Sequence, residues 1–154
     1  MEDPPTNRLK RELELSKDQH PNVKYYPKDE TLKSWDAEIT DLPGTDSFYA
    51  GFILRLSITI PTGYPNKPPN ILFKHPIWHP NVSLEHGTIC VDILKDAWSP
   101  VLTLNKVLLG IHSLLDKPNP DSALNGLAAK QFNSNIKEYK LKTQAICLLN
   151  CTKI

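Results

Sequence analysis

One cysteine, Cys90, lies between two turn-forming segments, His79-Pro80-Asn81 before it and Trp98-Ser99-Pro100 after it. Flanked by Val91, Ile93 and Leu94, such a thiol can be core, since free cysteine is among the most buried residue types. The Pro, Asn, His and Gly around it favour turns and surface loops instead. A thiol in such a loop, with polar groups at hand, is a candidate nucleophile. His86 is close in sequence, but a loop histidine is more often solvated than a general base.

The elements that must position this loop follow from periodicity. Thr6 or Asn7 can cap a first helix with Leu9 and Leu13 on one face. Arg8, Lys10, Arg11 and Lys17 make the rest of that helix basic, the pattern of a solvated face. Residues 23–26 are a short strand candidate. Trp35, Ala37 and Ile39 alternate with Asp36, Glu38 and Thr40, the period of a half-buried strand. Phe52, Leu54, Leu56, Ile58 and Ile60 repeat that period, with Ile53 the one apolar residue on the polar side. Residues 71–73 give a fourth strand. No helix intervenes, which predicts a four-stranded antiparallel meander.

A later helix starts near Thr103 or Leu104, with a core stripe of Leu104, Val107, Leu108, Ile111, Leu114 and Leu115. Leu109 projects to the opposite side, near Lys106, His112 and Ser113. Two further helices are expected over 124–132 and 135–149. Residues 1–5 read as a frayed lead-in, and Cys151-Thr152-Lys153-Ile154 as a fraying helix end. The order is α+β, in one domain over 1–154.

Composition narrows the class. A formal net charge of +1 carries no nucleic-acid or membrane signature. Three cysteines without paired spacing suggest a reducing compartment, not a disulfide framework. Cys147 and Cys151 share a helix face, but two thiols alone do not make a zinc site, and no metal is expected. The opening MEDPPTNRLKRE has no apolar run of the kind a signal peptide needs. The C-terminal Cys-Thr-Lys-Ile is a poor prenylation box, with Lys153 where an aliphatic residue belongs, and a weak match to a peroxisomal signal.

His79-Pro80-Asn81, a cysteine nine positions after the asparagine, and Trp98-Ser99-Pro100 eight positions further on closely resemble the ubiquitin-conjugating (E2) enzyme family. The resemblance runs from about Asn7 to the last helix. It implies the E2 fold: an N-terminal helix, the four-stranded meander, an irregular active-site segment and C-terminal helices. It implies that Cys90 takes ubiquitin from an activating enzyme (E1) as a thioester and passes it to a lysine, usually with a ligase (E3). No cofactor is expected on this chain, because the activating enzyme uses the ATP.

Carried over position by position, the resemblance makes Asn81 an oxyanion donor or loop organiser, and His79 a structural residue. Asp92, Asn119, Asp121 and Ser122 match the polar gate for the incoming amine, although Asp121 is also a good helix cap. Arg8 and Arg11, Pro65, Asn66 and Pro68, and Ser99, Pro100 and Val101 match the surface for activating enzyme and ligase. A RING ligase is expected, although Asn66 stands where some members have Phe. Lys106, Leu109 and Ser113 match the face that packs on donor ubiquitin.

Two features depart from the usual pattern. The Asn81-to-Cys90 spacing is one longer than in most members, as in the peroxisomal branch, and Ala123 replaces a customary proline. The alternatives are an E2 for a ubiquitin-like modifier, or a non-catalytic ubiquitin-binding variant. The SUMO type has an insertion between cysteine and tryptophan, and the NEDD8 type a longer N-terminal extension; neither is present in this sequence. Non-catalytic variants lack the cysteine. A cytoplasmic or nuclear monomer is expected, with peroxisomal association the weaker reading.

Overall fold

The alternating apolar segments form the sheet they predict. The computed structural model describes residues 4–154. Within it, α1 (Thr6–Leu15) precedes β1 (Val23–Pro27), β2 (Ser34–Thr40), β3 (Phe52–Thr59) and β4 (Asn70–Phe73). The strands pair in sequence order, all antiparallel. In β2 and β3 every second residue is buried, so the apolar half of each alternation makes one face of the core.

After an irregular segment that holds Cys90 come α2 (Leu104–Asp116), α3 (Gly126–Ser134) and α4 (Ile136–Asn150). The Thr103 side chain caps α2 by accepting from the Lys106 N–H at 3.3 Å. Asn125 and Asn135 cap α3 and α4 in the same way. By contrast, α1 has no side-chain cap; Pro5 stands at its N-cap position.

Three expectations are corrected. The chain end is not a fraying helix. Thr152–Lys153 form a fifth strand, β5, antiparallel to Phe52 and Ile53 of β3. Beyond the end of β4, the edge of β3 is open there, and its free backbone groups take a partner. The frayed lead-in falls partly on residues 1–3, outside the described residues. Leu114 is only half-buried: it packs on the rim of the core and lines a groove with Cys90.

The face of α1 is the third correction. Glu12 is 0% exposed, and its Oε2 accepts from the Tyr64 hydroxyl at 3.0 Å and the Leu104 N–H at 2.8 Å. Burial raises its carboxyl above the ordinary value, against the pull of the Leu104 N–H, Tyr64 and Arg8. Arg8 lies over the Tyr64 ring at 5.2 Å and donates to the carbonyls of Pro100 and Leu102. The helix is therefore tied to the start of α2 by a buried carboxylate, not merely solvated on its polar side.

Candidate active site

The segment from His79 to Cys90 is fixed at both ends. The His79 ring is fully buried; its Nδ1 accepts from the Asn81 N–H at 2.9 Å. The proton therefore sits on Nε2, which donates to the Leu114 carbonyl at 2.8 Å. Both ring nitrogens are used to hold the turn onto α2. Burial pushes the imidazole down to about 4, against the opposing pull of that carbonyl.

A stability prediction follows from the sign of this shift. The unfolded imidazole takes its proton near 6.5, the folded one only near 4. Between these values the unfolded state binds more protons, so stability is full above pH 6.5 and drains away as pH falls toward 4. The expected loss is about 3 kcal/mol. Urea unfolding at pH 7 and pH 4 measures it; His79→Gln should flatten the dependence.

Beyond Asn81 the chain doubles back. Val82 pairs with Ile89, and the Ser83 N–H donates to the Thr88 carbonyl at 2.9 Å. Gly87 sits at φ +73°, where its carbonyl accepts from the Phe73 N–H at 3.0 Å. A Cβ there would lie 2.3 Å from the Phe73 carbonyl oxygen, so only glycine brings the loop onto β4. The Cys90 N–H closes the structure on the Asn81 carbonyl at 2.8 Å.

Cys90 is half-buried and lines a groove of about 310 Å³ with Asp92, Asn119, Ser122, Ser113 and Leu114. Its thiol is not sealed in the core. Asp92 begins a short 3-10 turn, Asp92–Leu94, whose Ile93 seats on α2 at Gly110. A Cβ at 110 would meet the Ile93 Cδ1 at 2.4 Å.

The Asn81 amide is 0% exposed and pins the opposite wall. Its Nδ2 donates to the carbonyls of Asn119 at 2.7 Å and Ser122 at 3.1 Å, while its Oδ1 accepts from the Asn119 N–H at 2.8 Å. Both donor hydrogens are thus committed to backbone. Donation to an oxyanion requires giving up one of them, and the longer bond, to Ser122, is the one to yield. Loop organisation is what this geometry supports.

Of the expected gate, Asp92, Asn119 and Ser122 meet Cys90 in the groove, whereas Asp121 does not line it. Asp121 is exposed on the 3-10 turn Pro120–Ser122, its N–H held by Asn119 Oδ1 at 3.2 Å; Asn125, not Asp121, caps α3. His86 is exposed and turns toward Glu85 in a separate groove. Sequence reading missed Lys95, whose Nζ lies 3.6 Å from Cys90 Sγ. Its place five residues on, across a tight turn, was the available signal.

The expected partner surface comes together in part. Arg8, Arg11, Pro100 and Val101 line one surface groove with Lys106, and Val101 is 73% exposed. Trp98 Nε1 donates to the Pro65 carbonyl at 2.9 Å, joining the 65–68 loop to the 98–101 loop. Asn66 is exposed between half-buried Pro65 and Pro68, and Ser99 is half-buried. Leu109 is a correction. It is half-buried and packs on the rim of the core, while Lys106 and Ser113 are exposed. On the next turn of the same helix, His112 Nε2 meets Asp41 Oδ1, just past the end of β2, at 3.0 Å.

Comparison with known proteins agrees with this geometry. The family described as "Ubiquitin-conjugating enzyme" matches residues 8–147. A curated relative from Schizosaccharomyces pombe, "Ubiquitin-conjugating enzyme E2-20 kDa", is 41% identical over 137 residues, covering 88% of this chain and 76% of the relative. With a match of that span and identity, the chain belongs to the ubiquitin-conjugating enzyme family and is an E2 transferase.

Proposed function

We propose that Cys90 is the residue that carries ubiquitin. Its thiolate attacks the thioester carbonyl of ubiquitin on the activating enzyme; a new C–S bond forms and the donor thiolate leaves. A substrate lysine, having lost a proton, then attacks the Cys90 thioester. A tetrahedral oxyanion forms and collapses, an amide results and the Cys90 thiolate departs. Sulfur suits both steps, being a good nucleophile and a good leaving group.

One observation carries this reading: the half-buried thiol opens on a groove whose far wall, Asn119 and Ser122, is held by Asn81. Asn119, Ser122 and Asp92 orient the amine, with Asp121 at the rim. Among the described residues no histidine lines that groove, which suits a thioester that must outlast its wait for a substrate.

The ligase is of RING type and docks on Arg11, Asn66, Pro100 and Val101, with Arg8 and Ser99 bracing that surface and Pro65 and Pro68 framing Asn66. The activating enzyme, which consumes the ATP, approaches α1. The protein acts as a monomer in a reducing compartment, cytoplasmic or nuclear, in keeping with its three unpaired cysteines. The long Asn81-to-Cys90 loop, shared with the peroxisomal branch, supports peroxisomal association, which co-fractionation checks.

Lys106, Leu109 and Ser113 contact donor ubiquitin in the reactive conjugate. Leu109→Asp should slow discharge to lysine by about tenfold, the cost of one modest interface contact, and leave loading intact. Equal single-turnover discharge of variant and wild type would count against this contact.

The defining experiment combines the protein with activating enzymes, ATP and, in turn, ubiquitin, SUMO and NEDD8. A conjugate with ubiquitin that reductant removes on a gel supports the assignment. A conjugate only with SUMO or NEDD8 would replace ubiquitin as the modifier, and none with any would leave a ubiquitin-binding role.

A further inference from the structure

A second thiol centre lies away from the Cys90 groove, where α4 runs into β5. Cys151 is the C-cap residue of α4 and is half-buried; Cys147, one turn earlier, is 0% exposed. Four residues apart at the end of α4, the two thiols lie one helical turn from each other. From the loop after β4, His75 places its Nδ1 at 3.5 Å from the Cys151 sulfur.

The tautomer of His75 is set by its other nitrogen. The Arg55 backbone N–H donates to Nε2 at 3.0 Å, so Nε2 carries the lone pair and Nδ1 the hydrogen. That hydrogen faces the Cys151 sulfur, with the Pro76 carbonyl also in reach at 3.4 Å. The Arg55 guanidinium donates to Thr152 Oγ1, the next residue, and adds positive charge. The Cys147 thiol, His75 and Arg55 all favour a thiolate on Cys151, while burial and its neighbour hold Cys147 protonated. No imidazole lone pair faces the sulfurs, and among the described residues no His, Cys, Asp and Glu cluster is arranged for a metal. The arrangement is one for thiol chemistry.

We propose that Cys151 and Cys147 form a peroxide-reactive dithiol, with Cys151 the attacking thiol, His75 its positioning donor and Cys147 the resolving thiol. The Cys151 thiolate attacks the outer oxygen of a hydroperoxide. An S–O bond forms, the O–O bond breaks, and the departing alkoxide or hydroxide takes a proton from water. Sulfur is oxidised to sulfenic acid and the peroxide reduced by the same two electrons. The Cys147 thiol then attacks that sulfur; an S–S bond forms, and the hydroxyl leaves with the Cys147 proton as water. Hydroperoxides, not ubiquitin, are the substrate class here. The product staples the last turn of α4 to the strand that follows.

Limiting hydrogen peroxide on the full chain tests this, followed by alkylation and tryptic peptide mass spectrometry. The peptide of residues 143–153 carries both thiols, and that of residues 75–95 carries Cys90. The 143–153 peptide should resist alkylation and be lighter by two hydrogens, while the 75–95 peptide stays alkylatable. Cys147→Ser should leave a sulfenic acid on Cys151 that dimedone traps, and His75→Gln should slow disulfide formation by about tenfold. Oxidation of Cys90 ahead of the pair, or an alkylatable 143–153 peptide after peroxide, would overturn the proposal.

Discussion

Cys90→Ala removes the reductant-sensitive conjugate completely, whereas Cys90→Ser leaves a conjugate that survives reductant. This expected pair of results separates chemistry from docking. Alanine has no nucleophile, so nothing is transferred. Serine can be acylated, but its oxygen ester is a poorer acyl donor, because an alkoxide leaves far less readily than a thiolate. Both variants should keep their fold, since the Cys90 sulfur is half-buried and, among the described residues, its one hydrogen-bonding neighbour is the exposed Lys95. The same amine, 3.6 Å from the sulfur, is within reach as an acyl acceptor on the chain itself. Lys95→Met should therefore abolish a reductant-resistant self-conjugate at that site while sparing the thioester. Gels with and without reductant, read with peptide mapping, check all three variants; a wild-type-like thioester in Cys90→Ala would end the assignment.

Asn81→Ala should slow discharge to lysine by about a hundredfold and cost about 2 kcal/mol of stability. The stability loss follows from three severed hydrogen bonds, which leave the Asn119 N–H and the carbonyls of Asn119 and Ser122 without their partner. The rate loss follows from the same event, because the wall that orients the amine then drifts. These results would make Asn81 a positioning residue that acts through its neighbours. A small nucleophile separates this from oxyanion donation. Hydroxylamine needs no oriented gate, so its attack on the conjugate should change little in Asn81→Ala. If hydroxylamine slows as much as lysine, Asn81 donates to the oxyanion itself. Asn81→Asp gives a second check: it keeps an acceptor for the Asn119 N–H but sets a carboxylate against two carbonyls, so it should be no better than alanine.

What could be read in advance was local. The alternation in β2 and β3 and the stripe on α2 are periodic, and period reports which face is buried. His79 as a structural residue was legible because the turn needs a ring acceptor two residues before Asn81. What escaped depends on residues far apart in the chain. Glu12 looked like one more polar residue on a basic helix, yet it caps a backbone N–H 92 residues away. The His75–Cys151 contact spans 76 residues and joins a loop to a helix end. Leu109 stood on the polar side by helical angle, yet its side chain folds back onto the rim of the core. The strand at the chain end needed the open edge of β3, which no local pattern announces.

A single missing methyl decides how closely the turn after Cys90 seats on α2. With only hydrogen at position 110, the Cδ1 end of Ile93 lies where a side chain would otherwise begin. Put alanine there and that isoleucine must change rotamer, losing its seat on the helix while the backbone around it has room to stay. The helix that looks like passive flooring is therefore a socket, and its fit is made by the side chain three residues past the cysteine.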